Sequence, residues 1–541
     1  MALAVAGLRV GIKRSFPALT ALVISGAIVV APAFGQSQGA QGNAAKPLSA
    51  IDWLSRSVVT PAAVRPDGTA HPPVSGAGGI ESISVLSLDA PSADALGLLS
   101  LARTGLPADL WGRTPAPELA SALRDTPDDN LPALHDLLLT LLLAELDPPQ
   151  ITTPAQRDML YLARVDRLLD MGALQQAHAL LELADPTNPA VFRRRFDVAL
   201  LLGNETEACR VMGRTPGIAP SYPARIFCLA RMGNWDTAEL TYGTGRALGQ
   251  IPDDQAELIA QFLDPALADG ADELTPPDPV TPLSYKMMEA IGQPLATSML
   301  PLAFAHADLT ENNGWKAQLE AGERLARAGV LDPNRLLGLY TERKAAASGS
   351  LWDRVTAITA LDKAIKAQDS AAVAKALPRA WREMSSQELE PTLAALYGTQ
   401  LAAMGLQGEA GRIAHDLGLL TPDYETIASD GSDLGANAAL LAGFAKGQSA
   451  GIPGQDGLTR ALKQVFDTAP GHGPNAVPTR YAGLLPDQLG LALLHAIDDV
   501  AQGARGDYPR LVDGLKLLRL AGLETTARRA AIELIVLDRR G

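Results

Sequence analysis

Along most of this chain the apolar residues recur every three or four positions, the spacing that puts them on one face of an α-helix. The pattern predicts helices over 130–146, 154–171, 314–329, 351–367, 387–404, 486–500 and 508–520. Gly, Pro and Asn interrupt it at helix-sized intervals. Thr153 before Pro154 and Asp369 before Ser370 read as N-caps. Strand-like alternation is confined to 83–88 (ISVLSL). The expected fold class is therefore all-α.

Before residue 90 the pattern differs. Arg9, Lys13 and Arg14 precede an apolar stretch, PALTALVISGAIVV, which gives way to small residues at Ala33 and Gly35. That order reads as a secretory signal over 1–35, cleaved after Gly35. The alternative is an uncleaved anchor, but the apolar run is shorter than the roughly 20 residues that span a bilayer. Residues 36–90 read as a disordered, Pro- and Gly-rich arm with one amphipathic segment, SAIDWLSRSVV, at 49–59. Export points to the periplasm, with no stable membrane insertion after cleavage. The rest divides into 91–270, 271–430 and 431–541.

A single spacing repeats through the helical region. Gly172 is followed by Ala177 and Pro189 at five and seventeen residues, and Gly203 by Ala208 and Pro220 at the same offsets. Gly233 is followed by Ala238, Gly405 by Ala410 and Pro422, and Gly522 by Ala527. Glycine permits the turn between two helices. The small alanine lets the backbones approach, and proline ends the pair. The stretches DMGALQQAHALLELADPTNP and RMGNWDTAEL resemble the tetratricopeptide (TPR) repeat. The resemblance is densest over 155–248. It implies a right-handed α-solenoid whose helix pairs stack and present a surface for a peptide or protein element. The units are shorter than the family's, and Arg164 stands where an apolar first-helix residue is expected. Helical hairpins in a non-repeating bundle are the alternative.

In this register Cys209 lies in the second helix of one unit and Cys228 in the first helix of the next. In an oxidising compartment they read as a structural disulfide. A redox or metal pair is the other reading, but neither CxxC spacing nor a nearby histidine supports it. A further stretch, GWKAQLEAGERLARAGVLDPNRLLGLYTERKAAASGSLWDR, resembles exported alphaproteobacterial proteins of unassigned function and implies no activity. Within it, 331–337 reads as a turn between helices, and Arg343 and Lys344 as solvated.

Composition narrows the partners. Charged residues make up 20% of the chain and the net charge is −14, with no basic stripe, so nucleic acid and anionic lipid are discounted. The seven histidines are isolated, and no metal or cofactor is expected. Two G-x-S-x-G strings, around Ser37 and Ser449, lack the strand-to-helix context of a nucleophile elbow. Gly243, Gly245 and Gly249 fall in a helical context and do not form a dinucleotide loop. Glu81-Ser82 ahead of Gly97-Leu98-Leu99 is a weak echo of lytic transglycosylases, with Ser100 where their motif has Gln. The expected role is a periplasmic adaptor for another envelope protein or peptide, with no enzymatic activity. A peptidoglycan-active enzyme or accessory, or a glycan-fragment-binding solenoid, is the alternative.

Overall fold

A computed structural model describes residues 92–537, apart from 129, 269–271, 431–436, 450 and 473–475. The expected signal, the arm with its 49–59 segment, the 83–88 strand, Ser37 and Glu81-Ser82 lie outside the described residues. Every described residue belongs to one compact unit.

That unit is all-α. Among the described residues there are 24 α-helices and no strand. Two isolated bridges, Leu99 to Ala144 and Pro115 to Gln150, tie loops together. None of the described helices is long and apolar enough to cross a membrane. Consecutive helices pack on one another through Met159–Asp170, Leu174–Leu181, Pro189–Leu202, Glu205–Arg214, Tyr222–Arg231 and Trp235–Ala247. Further on, Ser350–Lys366 pairs with Ser370–Ser385, Glu390–Ala403 with Gly408–Leu419, and Leu489–Ala504 with Tyr508–Leu520.

The repeat residues sit at the joints of these pairs. Gly172, Gly203, Gly233, Gly405 and Gly522 all take the left-handed backbone that glycine adopts freely, with φ of 73°, 76°, 81°, 64° and 83°. Ala177, Ala208, Ala238, Ala410 and Ala527 are buried early in the following helices. Pro189 opens helix Pro189–Leu202, where a missing N–H costs nothing. Pro220 and Pro422 stand two residues before helices Tyr222–Arg231 and Tyr424–Asp430.

Two apolar cores result. One is built from Phe196, Cys209, Ile226, Phe227, Ile259, Met287 and their neighbours. The other runs from Leu106 to Leu534. Helix Pro189–Leu202 is the wall between them: Phe192, Phe196 and Leu200 face the first, Val191, Val198 and Leu201 the second.

The two ends of the described chain meet. Helix Glu524–Val536 packs on Pro132–Leu143, and Leu489–Ala504 touches Ala116–Asp125. Gly490 N donates to Leu110 O at 2.9 Å, and Arg113 N to Asp487 O at 3.0 Å. Ala133 N, an orphan donor in the first turn of its helix, finds the Glu533 carboxylate at 2.9 Å. Arg529 reaches Asp136 at 2.9 Å.

Several expected boundaries move. The 154–171 helix is broken: residues 154–156 form a short 3-10 turn, Asp158 is left-handed at φ 61°, and the α-helix starts at Met159. Thr153 gives no side-chain cap. The cap comes instead from Asp94, whose carboxylate accepts from Asp158 N at 3.0 Å and Tyr161 N at 2.7 Å. Asp158 in turn accepts from Ala93 N at 2.7 Å. Asp369 does cap, accepting from Ala372 N. The 387–404 helix begins only at Glu390, after Glu388 at φ 57°. The 486–500 helix begins at Leu489 and runs on to Ala504.

Candidate functional site

Helices Leu174–Leu181, Pro189–Leu202 and Glu205–Arg214 enclose a groove of about 520 Å³. It lies within 155–248, the stretch where the Gly-Ala-Pro spacing is densest. Gly203 belongs to its lining, where a left-handed turn takes the chain from one helix into the next. The floor is apolar, from Phe192, Ala199, Ala208 and Val211. The rim carries charge in ready-made pairs. Arg195 donates to Glu182 at 2.6 Å, and Arg210 pairs with Glu207 one helical turn away. Glu182, Glu207 and Arg210 are well exposed, so each pair contributes only about 0–1 kcal/mol. Such charges re-pair with an incoming chain at little cost. His178 lines the same groove, and its Nδ1 has no hydrogen-bond partner. The arrangement suits an extended segment with apolar residues below and mixed charges above.

The disulfide braces this region. Cys209 on Glu205–Arg214 is bonded to Cys228 on Tyr222–Arg231, with Cα atoms 5.0 Å apart. Both cysteines are buried. The bond therefore fixes the groove's third helix to the next hairpin.

The repeat residues are not gathered in one place. Gly203 and Ala208 line this groove. The Gly172 turn is instead packed under Leu302, and its carbonyl faces His306 Nε2 at 2.7 Å. Burial pushes the His306 imidazole below its ordinary pKa, so the neutral ring donates that bond. Gly405 lines a separate cavity beside Gly408–Leu419, and Pro422 borders a third. Gly233 and Ala238 line none of these spaces.

The third space was not foreseen from sequence. It is a cleft of about 690 Å³ where the chain ends meet, bordered by His135, Asp136, Arg324, Arg327, Glu388 and Arg529. Burial pushes the His135 imidazole down as well. Its wall residues come from six separate stretches of the sequence, so no local motif announces it.

Other sequence candidates resolve into structure. Arg164, out of place in the repeat pattern, is 1% exposed and donates to Leu142 O, Leu96 O and Ala144 O at 2.7, 2.8 and 3.0 Å. Ser449 is fully buried and donates to Asp467 at 2.8 Å. Gly243 and Gly245 sit inside helix Trp235–Ala247. Ser100 precedes a four-residue helical turn. In the 314–354 stretch, Arg354 grips Glu323 with two hydrogen bonds of 2.8 and 2.6 Å, and Tyr340 donates to the same carboxylate at 2.8 Å. Asp332 caps helix Pro333–Glu342, and Arg343 and Lys344 are exposed. Among the described residues, no group of three or more His, Cys, Asp or Glu is placed to hold a metal ion.

Compared with models of known protein families, with curated proteins and with solved structures, the chain matches none.

Proposed function

We propose that this protein is an exported helical-repeat scaffold of the bacterial cell envelope that holds a segment of another protein in the 178–211 groove. The observation that carries the reading is that groove: apolar floor, exchangeable charged rim, and three helices positioned by repeat turns. Extended peptides dock in this manner when the apolar side chains enter the floor and the rim sets register. The helix pairs are read as a right-handed TPR-like solenoid, in which the meeting of the chain ends takes the place of separate capping repeats.

Periplasmic location belongs to the same proposal. It is supported by the basic, apolar and small-residue order of 1–35 and by the Cys209–Cys228 bond, which an oxidising compartment maintains. No catalytic role is assigned, and the partner is another envelope protein or peptide.

The test is site-specific photo-crosslinking in living cells from position 206, at the groove rim, and from position 344, on an exposed turn away from it. The reading expects a discrete adduct at 206 that is absent at 344. Equal labelling at both positions, or none at either, would overturn it. Release of muropeptides from purified peptidoglycan, lost in Glu81→Gln, would replace the scaffold reading with an enzymatic one.

A further inference from the structure

Helix Trp235–Ala247 is covered on one side. Ala238 and Gly245 are its buried residues, and from the same side Tyr242 donates to Ala256 O at 3.0 Å. Helices Tyr222–Arg231 and Asp253–Leu263 pack there. The opposite side carries Asp236, Leu240, Gly243 and Ala247 at four-, three- and four-residue spacing, all of them exposed. That spacing is the seam of a two-helix coil. Leu240 is 71% exposed, and Leu248, flanking the end of the seam, 60%. They are two of the three most exposed large apolar side chains among the described residues. A lone exposed leucine is ordinary, but apolar surface gathered on one helix face marks an interaction site.

The seam changes along its length. Leu240 projects from it, whereas Gly243 leaves a gap one turn on, where an added Cβ would meet nothing within 4 Å. Glu239 and Arg246, both exposed, stand on one flank of the seam at the same position of successive heptads. A second copy of the helix, turned end over end, brings each of these features onto its complement. Leu240 of one copy then lies over Gly243 of the other. The same register sets Glu239 of one beside Arg246 of the other, and the two helix dipoles oppose. A parallel pairing would instead set Asp236 against Asp236 in the seam and leave Glu239 opposite the uncharged Thr244.

We propose that this face joins two copies of the chain by antiparallel pairing of helix Trp235–Ala247. A two-fold interface must be self-complementary, and this face is so in both shape and charge. It shares no residue with the 178–211 groove, so pairing does not require that groove to be occupied.

The experiment is sedimentation velocity of the purified full chain over a series of concentrations. A seam one helix long buries little area, so the expected dimer is reversible, with a Kd of about 10–100 μM. Leu240→Arg, at an exposed position, should raise the Kd about tenfold or more. Glu239→Arg and Arg246→Glu, each alone, set like charges against each other twice in the pair and should raise it about fivefold. Mixed in equal amounts, those two variants should form a dimer with a Kd close to that of the wild type, because each supplies the charge the other lacks. Three results would overturn the proposal: wild-type protein that stays monomeric up to about 500 μM, a dimer that Leu240→Arg leaves intact, or charge variants that do not restore one another.

Discussion

Replacing Arg164 tests whether one buried guanidinium fastens the start of the described chain to its repeat region. Three backbone carbonyls, of Leu142, Leu96 and Ala144, accept from it within 3.0 Å, and Asp94 O lies at 3.4 Å. Leu142 and Ala144 are at the C-terminal end of helix Pro132–Leu143, where the last carbonyls have no partner in their own helix. Arg164 therefore acts as a C-cap supplied from a different helix. Burial lowers its pKa from the ordinary value to about 10, so it remains charged at neutral pH. Hydrogen bonds to a charged donor contribute about 1.5–3 kcal/mol each when the partner would be stranded. Water re-entering the space recovers some of that, which gives about 3–5 kcal/mol for Arg164→Met, the range found when a buried charged partner is removed. This is a large share of a total stability of about 5–15 kcal/mol. Arg164→Lys keeps the charge but not the planar fork, and should lose about half as much. Urea unfolding followed by far-ultraviolet circular dichroism measures both. Hydrogen exchange at residues 96–99 should show that segment opening first. An Arg164→Met variant within about 0.5 kcal/mol of wild type would refute the reasoning.

The remaining predictions address other joints. Cys209→Ser with Cys228→Ser opens a loop of sequence separation 19 and should cost about 3 kcal/mol in the chain-entropy model, seen as a urea midpoint that falls to the level of the reduced wild type. Gly490→Ala would place a Cβ 2.5 Å from Trp111 Cε3 and should lower stability by about 1–3 kcal/mol through strain where the chain ends meet, whereas Gly243→Ala, with open space around it, should not. His135 and His306 have lowered pKa values in the folded state, so the unfolded chain takes up protons first on acidification. Their contribution is fully present above the unfolded value of 6.5 and is lost as pH falls through it, with a slope of up to about 1.4 kcal/mol per pH unit for each residue. The difference in urea midpoint between wild type and a His135→Gln, His306→Gln variant should shrink on going from about pH 7.5 to about pH 5.5. That comparison cancels Asp94 and Asp308, whose raised carboxyl pKa values act with the opposite sign.

Local sequence determined a good deal. Leu- and Ala-rich segments at helical spacing can bury their apolar faces only as packed helices, and the described chain is all-helical. Gly203 and its counterparts announced the joints, because few other residues turn a helix end through positive φ at so little cost. The cysteine pairing was readable because helix length and turn position together put Cys209 and Cys228 on adjacent helices. Where a cap comes from a nearby residue, as with Asp369, the helix starts where expected; where Asp94 caps a helix more than sixty residues away, it does not.

What tertiary structure alone decided is non-local. Arg164 looked like a flaw in the repeat because its carbonyl partners lie in Asp94–Leu96 and Leu142–Ala144, segments that no helical period links to it. The joining of Glu524–Val536 to Pro132–Leu143, and the cleft beside that joint, depend on contacts across some 400 residues of sequence. The space beside Gly405 opens among three helices whose placing no single helical period specifies. Periodicity fixes which face of a helix is buried, but not which distant helix will cover it.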